Sequence, residues 1–197
     1  MRIIGIAVLS ALLASTPAVA SEPPLPSAER LRSVVPEVSV VDQNGRRLNF
    51  YADLVRGHTV AINLVFTHCE SVCPAQGRQF ASLRKVIPKD VRLISISLDP
   101  ERDTPARLRK WQSGFGKVPG WTLVTGKKAE IDRLVSALTG DVSRPAMHTP
   151  LVFIGNDSNG SWVRANGLGG TDAIKRQLEE AAHPPKDPAR PPELQSN

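Results

Sequence analysis

The chain has 197 residues, 41% of them hydrophobic and 22% charged, and a formal net charge of +6 at pH 7. That length fits one domain with a sizeable core, which has no need of disulfide staples. The two cysteines stand four positions apart, where a bond would close a tiny loop and stabilise little. Lys and Arg are scattered without a run of five, and aromatics make up 5%, so the basic balance reads as a solvated face and argues against nucleic-acid binding.

Residues 1–20 read as a secretory signal peptide. Met1-Arg2 is a short positive start, residues 3–13 are almost wholly apolar, and Ala18-Val19-Ala20 is an A-x-A cleavage signal. The alternative is an uncleaved membrane anchor, but the apolar run falls short of the roughly 18–20 residues that span a bilayer. Ser15, Thr16 and Pro17 break the run, and no Cys follows it to take a lipid. A periplasmic or otherwise exported protein, soluble and without stable membrane insertion after cleavage, is the expectation. Loss of Arg2 lowers the net charge to +5.

Residues 21–37, with Pro23, Pro24, Pro26 and Pro36, read as a proline-rich tether to a domain over 38–182. A β-hairpin is predicted over 38–41 and 46–50 around Asn44-Gly45. Residues 59–66 are a nearly continuous apolar run, the pattern of a strand buried on both faces. A helix follows over 74–86, with Pro74 suited to its first position and Phe80, Leu83 and Val86 inward. Residues 91–98 are a second buried strand, and Thr104-Pro105 opens a helix reaching about Phe115.

A short strand at 121–124 precedes a helix over 127–138. Strands at 151–154 and 162–165 flank a turn-rich run from Asn156 to Gly160 as a second hairpin, and 171–182 is the last helix. Residues 183–197 are a proline-rich polar tail, expected to be disordered. Alternating strands and helices require right-handed crossovers and a mainly parallel sheet, which the closing hairpin makes mixed. The predicted fold is α/β and thioredoxin-like: a mixed central sheet flanked by helices, with an extra N-terminal β-hairpin and an inserted β-α unit.

The sharpest feature is Phe66-Thr67-His68-Cys69-Glu70-Ser71-Val72-Cys73-Pro74, at the carboxyl end of a predicted strand, where open α/β sheets gather ligands. Paired, close cysteines outside the cytosol suggest redox chemistry or metal binding; their bland reading is a stray disulfide or two buried thiols. Cys73, at a helix N-terminus, meets the positive end of the dipole and is expected to favour thiolate.

A third element, Met147-His148-Thr149-Pro150, precedes the strand that neighbours the cysteine-bearing one in a thioredoxin-type sheet. Thr149-Pro150 matches the place of a cis-proline facing the cysteines, so His148 would stand beside Cys69 and Cys73. Two thiolates and one imidazole form a soft set suited to copper, whereas structural zinc normally takes four protein ligands. His68 reads as supporting or structural, His58 as a surface turn residue, and His183 as part of the tail.

These residues resemble the Sco/SenC family of copper chaperones for cytochrome c oxidase assembly. The likeness is carried by Phe66 to Cys69, by Cys73-Pro74, by the run from Ile94 to Pro105 that holds Asp99-Pro100-Glu101-Arg102-Asp103-Thr104-Pro105, and by His148. It extends from about Val38 to Ala182. The resemblance implies that Cys69, Cys73 and His148 are copper ligands for both Cu(I) and Cu(II). It implies as partner the dinuclear copper site of oxidase subunit II or another exported cuproprotein. It also suggests thiol–disulfide work that keeps a target's cysteines reduced, and so a thiol reductant protein as a further partner.

Asp99 is read as a strand end, and Asp103 as favouring the following helix N-terminus. Three departures stand out. Met147 occupies the place where family members usually carry Asp, and is read as a loop residue without metal contact. Residues 140–147 are shorter than the family's loop. The leader reads as cleaved, where many members keep an anchor.

The competing reading is an exported thiol–disulfide oxidoreductase with Cys69 as nucleophile and Cys73 as resolving thiol. Such enzymes usually space their cysteines by two residues, and His148 would then have no role. A peroxidase of the peroxiredoxin type wants Thr-x-x-Cys, while Thr67 and Cys69 have one residue between them.

Overall fold

The computed structural model describes residues 35–139 and 150–183. The proposed leader, most of the tether, the tail beyond His183, and residues 140–149 with Met147, His148 and Thr149 lie outside the described residues.

Seven strands form one sheet: β1 (Ser39–Asp42), β2 (Arg47–Asn49), β3 (Thr59–Val65), β4 (Arg92–Ser97), β5 (Trp121–Thr125), β6 (Leu151–Asn156) and β7 (Ser161–Asn166). Their spatial order is β2-β1-β5-β4-β3-β6-β7. β3, β4 and β5 are parallel neighbours, whereas β1 runs antiparallel to β5 and β6 antiparallel to β3. The apolar run beginning at Thr59 therefore lies inside the sheet, buried at every position from Val60 to Val65.

The α-helices are α1 (Val72–Leu83), α2 (Pro105–Ser113), α3 (Lys128–Thr139) and α4 (Thr171–Ala182). On one face of the sheet, Val60, Ile62 and Leu64 pack with Ile131, Leu134 and Leu138 of α3. On the other, Ala61 and Leu93 pack with Phe80 and Leu83 of α1, Leu108 of α2, and Ile174 and Leu178 of α4. The alternation of neighbouring β3 residues between two apolar layers is the period-2 geometry of a central strand.

Two local departures have clear causes. A π-helical turn over Phe50–Val55 follows β2; Asn49 opens it by accepting from the Ala52 N–H at 2.9 Å, and Phe50, Leu54 and Val55 are buried beneath it. Helix α1 ends at Leu83, so Val86, predicted inward, is 46% exposed and Ile87 takes the buried place. Arg84 folds back to donate to the carbonyls of Val91 at 2.7 Å and Ile87 at 2.8 Å, and also to that of Pro88. Those bonds fix the chain's exit from the helix.

Candidate metal centre

Strand β3 ends at Val65, and the chain turns at once: the Cys69 N–H donates to the Phe66 carbonyl at 3.2 Å. Helix α1 then begins at Val72, two residues earlier than Pro74, so Cys73 sits inside its first turn. Ser71, at the N-cap, makes no capping bond to the helix. The Cys73 N–H is satisfied instead by the Cys69 sulfur, 3.3 Å away, which acts as the helix's cap from outside it. Both thiols are free.

The two sulfurs differ electrostatically, and not in the direction expected from the dipole. Cys73 is buried at 4% exposure. Burial first, then its hydrogen bond to the Cys69 sulfur and the charges of Cys69 and Asp103, push its pKa up to about 12, against an opposing bond from the Phe66 backbone. For Cys69, burial acts upward but is outweighed by hydrogen bonds from the backbone and side chains of Cys73 and Ser71, which bring it below the ordinary thiol value. The thiolate therefore belongs to Cys69 rather than Cys73: the helix N-terminus acts through an N–H aimed at the other cysteine.

Asp103 corrects a second expectation. Thr104 caps α2, accepting from the Arg107 N–H at 3.3 Å. Asp103 instead turns its fully buried carboxylate toward the cysteine loop. It accepts from the Thr67 N–H at 3.2 Å to each oxygen, from the Thr67 hydroxyl at 2.5 Å and from the Ser97 hydroxyl at 2.7 Å. The signal for this in the sequence is the pair of hydroxyl residues, Thr67 and Ser97, just past the ends of two neighbouring strands or at them. Asp99, beside it, lies 3.7 Å from His68 Nδ1 and 3.8 Å from Arg102 Nε. The His68 ring also packs 4.8 Å from that of Phe66, so this exposed histidine stands at the rim of the loop. His58 is a turn residue before β3, its carbonyl accepting from the Asp157 N–H.

β6 pairs with β3 so that Val152 faces Asn63, which brings the start of β6 to the end of β3 that carries the cysteines. Pro150 is held there by the Gly167 N–H. A Cβ at Gly167 would lie 2.4 Å from Gln76 Nε2 and 2.8 Å from the Pro150 carbonyl, so only glycine lets β7, Pro150 and α1 meet. Gln76 is one turn from Cys73. Among the described residues no group of three or more His, Cys, Asp or Glu is placed to hold a metal, and His148 lies outside them. The donors present are two sulfurs, a soft pair whose chemistry fits copper. A cavity of about 770 Å³ takes in Asp103, Thr104 and Thr125 but neither cysteine. No helix among the described residues is long and apolar enough to cross a membrane.

The fold and site define a thioredoxin-like domain with a two-thiol loop at the carboxyl end of a central strand. The family profile described as SCO1/SenC matches residues 27–162. The chain belongs to the SCO1/SenC family. It is 32% identical over 95 residues to the SCO1 protein homolog of Bacillus subtilis, a match covering 46% of this chain and 49% of that protein. The chain thus spans about half the length of the curated relatives it matches. Its fold superposes on BsSco, described as a member of the Sco family of cytochrome c oxidase assembly proteins, with a TM-score of 0.65 at 22% identity, covering 82% of this chain and 97% of that one. It also superposes on copper-bound ScoI of Bradyrhizobium japonicum, with a TM-score of 0.59 at 24% identity, covering 75% and 99%.

Proposed function

We propose that this protein is an exported copper chaperone. In this reading Cys69, Cys73 and His148 bind Cu(I) and Cu(II), and the copper passes to the dinuclear site of an oxidase subunit II or to another exported cuproprotein. Residues 1–20 would be its leader, 21–37 its tether, 38–182 the copper-binding domain and 183–197 a tail. One observation carries the reading: two free thiols, joined by the Cys73 N–H to Cys69 sulfur bond, stand at the carboxyl end of β3. Support for His148 comes from Pro150, two residues on, which lies beside α1 one turn from Cys73. The copper bound in ScoI and the oxidase-assembly description of BsSco favour the same cargo and acceptor.

The test is titration of the reduced protein with Cu(I) and Cu(II), following stoichiometry and thiolate-to-Cu(II) absorption. The expected result is about one copper per chain, lost in Cys69→Ala, Cys73→Ala and His148→Ala with the fold intact. Full retention by His148→Ala removes that residue from the ligand set. Met147→Ala is expected to leave Cu(I) binding nearly unchanged.

The inequality of the two thiols favours a second reading, a thiol–disulfide reductase. The Cys69 thiolate would attack a substrate disulfide, forming a mixed disulfide and releasing one substrate thiol. Cys73, losing its proton, would then displace the second substrate thiol and leave a Cys69–Cys73 disulfide for an exported thiol reductant to reduce. Turnover of a disulfide substrate without copper binding would make this the leading function.

A further inference from the structure

We infer that Asp103 is the positioning residue of the two-thiol loop: its buried carboxylate holds Thr67, and through Thr67 the direction in which Cys69 leaves the sheet. This deepens the copper reading and rests on it.

A buried carboxylate is costly unless its oxygens are well served, and Asp103 has no exposed surface. It forms no ion pair with Lys or Arg among the described residues; the bonds it accepts come from neutral donors, the Thr67 N–H, the Thr67 hydroxyl and the Ser97 hydroxyl. Helix capping does not account for it, since Thr104 performs that task. Two of its three donor groups belong to Thr67, which lies within the tight turn closed by the Cys69 N–H on the Phe66 carbonyl. Ser97 ends β4, the parallel neighbour of β3, so the carboxylate ties the loop to a rigid element. With Thr67 held at both its amide and its side chain, the turn delivers the Cys69 sulfur to the N–H of Cys73.

The same carboxylate carries a formal negative charge and is bonded to Thr67, two residues before Cys69. Such a charge attracts a divalent cation more than a monovalent one at the same distance. Removing it is therefore expected to weaken Cu(II) more than Cu(I). Outer groups that orient metal ligands are commonly worth about 10–100-fold in affinity.

The test compares Asp103→Ala, Asp103→Asn and Thr67→Val with the wild type and with Ile131→Ala, a core truncation on the opposite face of the sheet. Two readouts are taken: Cu(II) and Cu(I) affinity with the thiolate-to-Cu(II) band, and amide hydrogen exchange of Thr67 in the metal-free protein. In Asp103→Ala, Thr67 exchange is expected to accelerate at least about tenfold and Cu(II) affinity to fall by about 10–100-fold with a shifted band. Asp103→Asn, which keeps an acceptor but loses the charge, should keep most of the Thr67 protection while Cu(II) affinity falls more than Cu(I) affinity. Ile131→Ala should lower the melting temperature and move neither readout. Unchanged band, affinity and Thr67 exchange in Asp103→Ala overturns the inference, as does an equal band shift in Ile131→Ala. If Asp103→Ala does not fold, Asp103→Asn decides by its fall in Cu(II) affinity and Thr67→Val, which loses the hydroxyl bond, by faster exchange of residue 67; no change in either overturns the inference. If the wild type binds no copper, the copper reading falls, and Thr67 exchange alone decides whether Asp103 holds the loop.

Discussion

The backbone N–H of Cys73 lies 3.3 Å from the sulfur of Cys69, so the first turn of α1 is capped by a side chain that precedes the helix by three residues. One bond thus stabilises a helix start and negative charge on one chosen sulfur.

Selective alkylation follows from that inequality. In the reduced, metal-free protein at pH 8, iodoacetamide is predicted to label Cys69 well before Cys73, because Cys69 is lowered while Cys73 is pushed up to about 12 and buried. Peptide mapping by mass spectrometry after short exposure reads the order directly. Equal labelling would show that the two thiols share one environment.

Alkaline stability should depend on Cys73. The folded state keeps its proton up to about 12, whereas the unfolded chain releases it near the ordinary thiol value of 9.0. Between those values the native state binds more protons, so this group's contribution to stability falls as pH rises. Cys69 acts oppositely: its lowered value gives stability present above the unfolded pKa and lost as pH falls through the folded one. Under reducing conditions, urea midpoints should drop less between pH 8 and pH 10.5 in Cys73→Ser than in the wild type.

Copper uptake should release protons. Cys73 is a neutral thiol at pH 7 and must be deprotonated to ligate. Calorimetric titration in buffers of different ionisation enthalpy is predicted to show at least about one proton released per copper. No proton release would place the metal away from Cys73.

The layer beneath α1 contains a buried polar chain: Trp121 Nε1 donates to Ser95 Oγ at 2.9 Å, and Ser95 donates to Asn63 Oδ1 at 2.5 Å. Ser95→Ala leaves a buried indole N–H and a buried carbonyl without this partner. A loss of about 1–3 kcal/mol in denaturant unfolding is expected, with altered Trp121 fluorescence. A change below about 0.5 kcal/mol would mean that the core readily re-pairs these groups.

Gly77 tests packing against propensity. A Cβ there would lie 2.4–2.8 Å from atoms of the Phe115 ring. Helix propensity alone favours alanine by about 1 kcal/mol, and overpacking opposes it by about 1–3 kcal/mol. Gly77→Ala is predicted to lower the melting temperature. A rise would show that Phe115, which is only half-buried, swings aside freely.

Much of the fold was legible because its signals are local and periodic. The apolar run from Thr59 had the pattern of a strand covered on both faces, and Thr104-Pro105 marked the start of α2 by the chemistry of the two residues themselves. The π-helical turn over Phe50–Val55 was not legible, because its apolar side chains fit a strand end as readily as a turn until the sheet covers them. Val86 was misplaced for a related reason. Helical spacing continues through it, but Arg84 bonds to carbonyls beyond the helix and the chain leaves early.

By itself the sequence determined the class of fold, the place of the two cysteines at a strand-to-helix junction, and their chemical softness. These follow from residue type and from spacings of a few positions. Only the tertiary structure decided which sulfur is the more acidic and which way Asp103 faces. Those properties depend on burial and on hydrogen bonds to groups from elsewhere in the chain, as when Asp103 reaches Thr67 from 36 positions away. Such partners carry no periodic signature, because it is the pairing of β3 with β4 that brings them together.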